Sequence, residues 1–225
     1  MNYHYDGVSL QNRRQSNMDS LLLKCLKISR KNALLAVVCD GVGSLADGAF
    51  ASGTATRMLG KWFSEAKGID RIGLRMRDTV LEINTDIISE AKRLNMNTAS
   101  TLSALLLIED TYHIVHAGDS RVYCYSDELL SILTNDDIST EGKLTSCIGI
   151  SENIILQYSE GQAADRLFLL CSDGLYKRMN TDFMIARIKT IDKRTLKEAL
   201  EALTRHAIEC GEQDNISLAL VLTES

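Results

Sequence analysis

The spacing of apolar positions changes several times along this chain, and each change marks a predicted element. Ser20–Ser29 reads as a strand and Ala33–Cys39 as a second, with Arg30, Lys31 and Asn32 turning between them. Leu34–Cys39 is apolar throughout, which predicts a strand buried on both faces. From Ala49 the period becomes helical: Ala51, Ala55, Met58/Leu59, Trp62 and Ala66 share one face. A second helix is predicted from Asp70 to Leu94, with Ile72, Met76, Val80, Ile83, Ile87 and Ala91 inward. Strand patterns return at Thr98–Ile108, Tyr112–Ala117, Arg121–Tyr125, Ile154–Tyr158 and Arg166–Cys171. Two helical segments follow, the first capped by Thr181 and the second spanning Arg194–Glu209, before a last strand at Ile216–Leu222. The polar stretch between Asn135 and Asn153 reads as a loop. Such a pattern predicts two sheets packed together with helices outside.

Composition narrows the class without choosing a function. At 225 residues the chain suits a single domain over 1–225, and 45% apolar content is enough for a substantial core. The net charge is −5 and basic residues cluster only in pairs, so neither nucleic acid nor an anionic membrane is an expected partner. Its apolar runs are strand-length, short of the ~20 residues of a membrane helix, and the N-terminus lacks the features of a signal peptide. Six cysteines show no CxxC spacing and mostly sit inside apolar runs, which predicts buried reduced thiols and a cytoplasmic location.

Chemistry enters through aspartates at strand ends: Asp40 in Val38-Cys39-Asp40-Gly41-Val42-Gly43, Asp119 after Tyr112–Ala117, Asp173 after Leu167–Cys171, and Asp214 before the last strand. Each has an ordinary alternative, since Asp-Gly is a common turn and Asp214-Asn215 a plausible cap. Together they predict an all-oxygen pocket for hard divalent cations such as Mg²⁺ or Mn²⁺, because carboxylates crowd together only around a cation. A nucleotide loop at Gly41-Val42-Gly43 is the rival reading. It lacks the next glycine, where Ala46 stands, and the lysine of a P-loop after Gly48. Arg14 adds a guanidinium suited to phosphate or to plain solvent, and Asp19 a fifth carboxylate.

In this order the motifs resemble the metal-dependent protein serine/threonine phosphatases of the protein phosphatase 2C type, in their compact bacterial form. The likeness runs from Arg14 to Leu222 through Arg14, Asn17 and Asp19, the DGxG segment with Gly48, Ala51 and Ser52, Ser100-Thr101, Gly118-Asp119-Ser120-Arg121, Ser172-Asp173-Gly174-Leu175 and Asp214-Asn215. The resemblance implies an α+β fold, a four-layer α-β-β-α sandwich of two mainly antiparallel sheets flanked by helix pairs, carrying two or three Mn²⁺ or Mg²⁺ ions. It implies that Asp40 bridges two metals, that the Gly41 carbonyl helps hold one, and that Asp173 and Asp214 complete the first. Asp19 would act through water, Asp119 would hold a third ion, and Arg14 would grip the substrate phosphate, with Asn17 and Asn215 in support. The implied reaction is attack of a metal-bridging water or hydroxide on phosphoserine or phosphothreonine, with phosphorylated proteins, a serine/threonine kinase and its targets as partners of a monomer.

Departures from the family pattern give some weight to a second reading, a catalytically weak phosphatase-like binding or sensor module, against which the intact set of Asp40, Asp119, Asp173 and Asp214 argues. Val42 stands where eukaryotic members carry histidine, Met18 where an acidic residue is usual, and the flap from Thr134 to Gly149 is short. Lys177-Arg178 follows Tyr176 where relatives turn acidic, and the pair reads as a solvated approach to a helix.

Overall fold

The computed structural model describes residues 1–43, 45 and 47–225; Ser44 and Ala46, the latter the position that counted against a glycine-rich nucleotide loop, lie outside the described residues. Apolar alternation and continuous apolar runs become ten antiparallel strands in two five-stranded sheets among those residues. One sheet is ordered β2(Ser20–Ile28), β3(Lys31–Cys39), β4(Leu102–Ile108), β5(Thr111–Ala117) and β8(Gln157–Gln162). In the other, β1(Asn2–Leu10) leads to β10(Ile216–Glu224), β9(Leu167–Cys171), β6(Arg121–Ser126) and β7(Leu129–Ile132). The helices are α1(Gly48–Glu65), α2(Ile72–Leu94), α3(Asp173–Tyr176), α4(Thr181–Ile188) and α5(Leu196–Glu209).

Three apolar layers hold these elements together. Side chains of β3 alternate: Leu35, Val37 and Cys39 pack under α1 and α2, whereas Leu34, Ala36 and Val38 face Phe168, Leu170 and Ala219 of the opposite sheet. Both strand faces are therefore buried, as the unbroken run of apolar residues requires. Ile72, Met76, Val80, Ile83, Ile87 and Ala91 form the buried face of α2, and Leu196, Leu200, Leu203 and Ala207 that of α5 on the second sheet. Helix pair, sheet, sheet and helix pair give the four-layer α-β-β-α sandwich.

Differences from the sequence reading fall at edges and turns. β1 and β7 are half-exposed edge strands that the sequence reading did not include. β8 lies at Gln157–Gln162 rather than Ile154–Tyr158, because backbone pairing to β5 selects the polar segment. The β2–β3 turn sits at Ser29-Arg30, both at positive φ (50° and 70°), one residue earlier than expected. Asn180, not Thr181, caps α4: its side-chain oxygen accepts from the Asp182 and Phe183 amides, which a threonine inside the first turn cannot do.

The six cysteines are free, four of them buried. Among the described residues, no helix is long and apolar enough to cross a membrane.

Candidate active site

Every strand-end aspartate singled out in the sequence arrives at the same end of the sandwich. β3 delivers Asp40, the β5–β6 turn Asp119, the first turn of α3 Asp173, and the segment entering β10 Asp214. Arg14, Asp40, Gly41, Asp119, Asp173 and Asp214 line one open cleft of about 700 Å³. Asp19, buried at the start of β2, lies behind them.

Asp40 is fixed through its backbone rather than its side chain. Its amide donates to Thr101 Oγ1 at 2.9 Å, and its carbonyl accepts from the Thr101 amide and from Ser100 Oγ, each at 2.9 Å. The next residue passes between chain segments: a Cβ on Gly41 would come 2.6 Å from the Met18 carbonyl oxygen and 2.7 Å from Gly48, so only glycine fits. Gly174 is tighter still, with its added Cβ 2.0 Å from the Asn215 carbonyl oxygen. That approach seats α3, and hence Asp173, against the entry to β10 and Asp214.

A brace of amides shapes the N-terminal approach. Asn215 Oδ1 accepts from the Met18 amide at 2.9 Å, while its Nδ2 donates to the carbonyls of Gln11 and Ser16. Asn17 Oδ1 accepts from the Asp19 amide, and Asn17 Nδ2 donates to Ser9 Oγ. Ser172 Oγ donates to Asp19 Oδ2 at 2.8 Å, but the buried Asp19 Oδ1 has no partner among the described residues. A buried carboxylate oxygen left in this way is costly unless a cation or its water completes it.

The electrostatics of the floor point the same way. Burial first, then Asp19 and Asp173, push the Asp40 carboxyl well above the usual carboxylate range. Asp19 is pushed up to about 6, chiefly by burial, against the pull of the hydrogen bond from Ser172. Asp119 is also raised, by burial and by Asp173. Asp214 goes down: burial would raise it, but hydrogen bonds from Arg14 prevail.

Two basic side chains distribute these carboxylates. Arg14 forks onto Asp214, and Lys177 pairs with Asp173 and lies 3.5 Å from Asp119 Oδ2. Among the described residues, accordingly, no three His, Cys, Asp or Glu side chains are disposed to hold one ion, although the carboxylates share the cleft. Lys177 corrects the solvated reading of the Lys177-Arg178 pair. Its signal was available, since position 177 is four residues after Asp173 and shares its helical face. Thr101, Ser172 and Tyr176 were named in the sequence reading without a role in the site; Tyr176 donates from its hydroxyl to the Asp119 carbonyl at 2.7 Å and lies under the Arg121 guanidinium.

A double-sheet sandwich with an acidic cleft at one end is the architecture of a phosphatase fold. The chain belongs to the protein phosphatase 2C family, whose model matches residues 6–207. A serine/threonine phosphatase of Listeria monocytogenes is 29% identical over 219 residues, with 86% of each chain covered. The fold is similar to that of the serine/threonine phosphatase of Staphylococcus aureus, with a TM-score of 0.89 at 20% identity, covering 100% of this chain and 96% of that one. It is also similar to the catalytic domain of the serine/threonine phosphatase PstP in complex with two manganese ions, with a TM-score of 0.84 at 23% identity and 99% of each chain covered.

Proposed function

We propose that this chain is a metal-dependent protein serine/threonine phosphatase. The observation that carries the reading is the convergence of Asp40, Asp119, Asp173 and Asp214 with Arg14 in one cleft, backed by the partnerless oxygen of Asp19. Hard oxygen donors of this kind suit Mn²⁺ or Mg²⁺. Asp40, the Gly41 carbonyl, Asp173 and Asp214 would hold the ions, with Asp19 supporting from behind. Bound there, divalent cations lower the pKa of water and screen the charge of the phosphoryl group.

The chain's own residues supply the rest. Arg14, half-exposed at the lip, presents a planar fork that matches two phosphate oxygens and stays charged at any working pH. The cleft is open, so a phosphorylated side chain on a folded protein or peptide reaches its floor without a lid movement. Val42 offers no proton, so the leaving seryl or threonyl oxygen takes its proton from solvent. Neither Cys39 nor Cys171 competes for the role of nucleophile: both are fully buried strand residues whose thiols burial pushes up, away from the reactive thiolate, and Cys147, which lines the cleft, is pushed up to about 11 by burial.

A decisive test is hydrolysis of a phosphothreonine peptide by protein stripped with EDTA and then given Mn²⁺ or Mg²⁺. Activity is expected only with metal, and Asp40→Asn and Asp173→Asn are expected to abolish it. Turnover that survives EDTA or either substitution would remove the reading.

A further inference from the structure

Lys177 leaves the end of α3 one helical turn after Asp173, on the same face, and returns its ammonium to the Asp173 carboxylate. The same nitrogen lies 3.5 Å from Asp119 Oδ2, which arrives from the other end of the site on the β5–β6 turn. Both carboxylate side chains are largely buried, at 14% and 12% exposure, while the lysine stem is 53% exposed and reaches in from solvent. The Tyr176 hydroxyl holds the backbone of Asp119 at 2.7 Å from the residue next to the lysine. One positive charge thus spans two carboxylates that would otherwise face each other across the cleft wall.

We propose that the Lys177 ammonium is the resident cation of the Asp119–Asp173 pair and stands in for a divalent ion there. The chain then keeps its divalent ions at the Asp40 end, where Asp173 serves them through Oδ1 because Lys177 pairs with Oδ2. This inference rests on the metal-dependent reading above and deepens it. Competition decides the matter: a tethered group acts at an effective concentration of about millimolar or more, and a divalent ion held by only these two carboxylates has to displace it. An ammonium also brings three donors, enough to engage both acids at once.

The test counts Mn²⁺ bound at saturation, by calorimetric titration and by the electron paramagnetic resonance signal of free ion. It compares the unmodified chain with Asp119→Asn, Lys177→Asn, Lys177→Arg and the double variant Asp119→Asn/Lys177→Asn. The unmodified chain, Asp119→Asn and Lys177→Arg are expected to bind the same number of ions. Lys177→Asn is expected to gain one weaker site, which the double variant loses. The proposal is overturned if Asp119→Asn removes a site while Lys177 is present, or if Lys177→Asn gains none while its circular dichroism and melting match the parent. Should Asp40→Asn leave Mn²⁺ binding intact, the metal-dependent reading itself fails, which is a different pattern from a failure confined to Asp119.

Discussion

Arg14 forks onto Asp214, with Nε 2.7 Å from Oδ1 and Nη2 2.6 Å from Oδ2. The side chain assigned to the substrate phosphate is therefore seated on a carboxylate assigned to the metal. The pair is half-exposed, at 53% and 35%, so its own strength is on the order of 1 kcal/mol or less. A phosphate dianion in the cleft offers the guanidinium a stronger bidentate partner. Arg14→Ala is expected to raise KM for a phosphothreonine peptide by about tenfold or more, the loss of one charge-assisted contact of ~1.5–3 kcal/mol. Arg14→Lys should recover only part of it, since an ammonium lacks the fork. Mn²⁺ affinity should move by no more than about fivefold in either variant. A larger loss of Mn²⁺ affinity with KM unchanged would make Arg14 a prop for Asp214 instead of a phosphate ligand.

Crowded carboxylates set the stability of the protein against its chemistry. The folded-state carboxyls of Asp40 and Asp19 are raised above their ordinary value of 3.8, Asp19 to about 6. Stability from such groups is fully present below the unfolded pKa and is lost as pH rises through the folded one. With EDTA, the stability these groups contribute is thus expected to fall from pH 4 upward through 6. Asp40→Asn removes one of the opposed charges. Its EDTA-treated melting temperature at pH 7.5 is expected to exceed the parent's by several degrees, although the variant is inactive and binds Mn²⁺ poorly. Saturating Mn²⁺ should raise only the parent. An Asp40→Asn variant that melts below the parent in EDTA would contradict the charge crowding.

Two glycines separate fold from function in a way that melting measurements can check. At Gly174 an added methyl would sit 2.0 Å from the Asn215 carbonyl oxygen, whereas at Gly43 nothing among the described residues lies within 4 Å. Backbone cannot be pushed aside like a flexible side chain. Gly174→Ala is expected to cost about 3 kcal/mol or more, roughly 6–12 °C in melting temperature for a chain of this size, and to lower activity by shifting Asp173. Gly43→Ala should leave the melting temperature within about a degree, as open surface positions do. Equal behaviour of the two variants would mean that the α3–β10 contact is looser than drawn here.

These contrasts also explain which parts of the structure were readable in the sequence. Asp40 and Asp173 follow the fully buried runs Ala33–Cys39 and Leu167–Cys171, where an unbroken apolar segment ends abruptly in a carboxylate. That change in polarity is local and strong, and it held for the helix faces of α2 and α5 as well. β8 was misplaced because Ile154-Ile155-Leu156 outweighs Gln157–Gln162 in apolar content, whereas the strand is chosen by hydrogen bonds to β5. Ile155 is 79% exposed, the opposite of what its side chain suggested. Lys177 escaped for a related reason. Its four-residue spacing from Asp173 signalled one partner, whereas the second, Asp119, is placed by a distant strand turn that no local pattern shows.

His116 ties the β5 end of the cleft to pH with a sign opposite to that of the aspartates. The ring is fully buried, with Nε2 3.0 Å from the Gly118 carbonyl and 3.2 Å from that of Asn135, and Nδ1 2.9 Å from Ser103 Oγ. Two carbonyls on Nε2 assign the proton to that nitrogen, so Nδ1 accepts from the serine hydroxyl and the neutral ring is satisfied. Burial lowers its pKa below the ordinary 6.5, against Asp137 and the two carbonyls. The unfolded chain therefore binds the proton first, and stability present above pH 6.5 is lost as pH falls toward the lower folded value. The acid-side loss belongs partly to His113, whose pKa burial also lowers, so a difference measurement is needed. Subtracting the melting curve of His116→Asn from that of the parent, across pH 5 to 8 in EDTA, is expected to show the parent's advantage shrinking below pH 6.5. A difference that stays constant across that range would mean the ring takes up its proton at the same pH folded and unfolded, and one that shrinks as pH rises above 6.5 would mean the ring is charged in the folded protein, with both nitrogens donating.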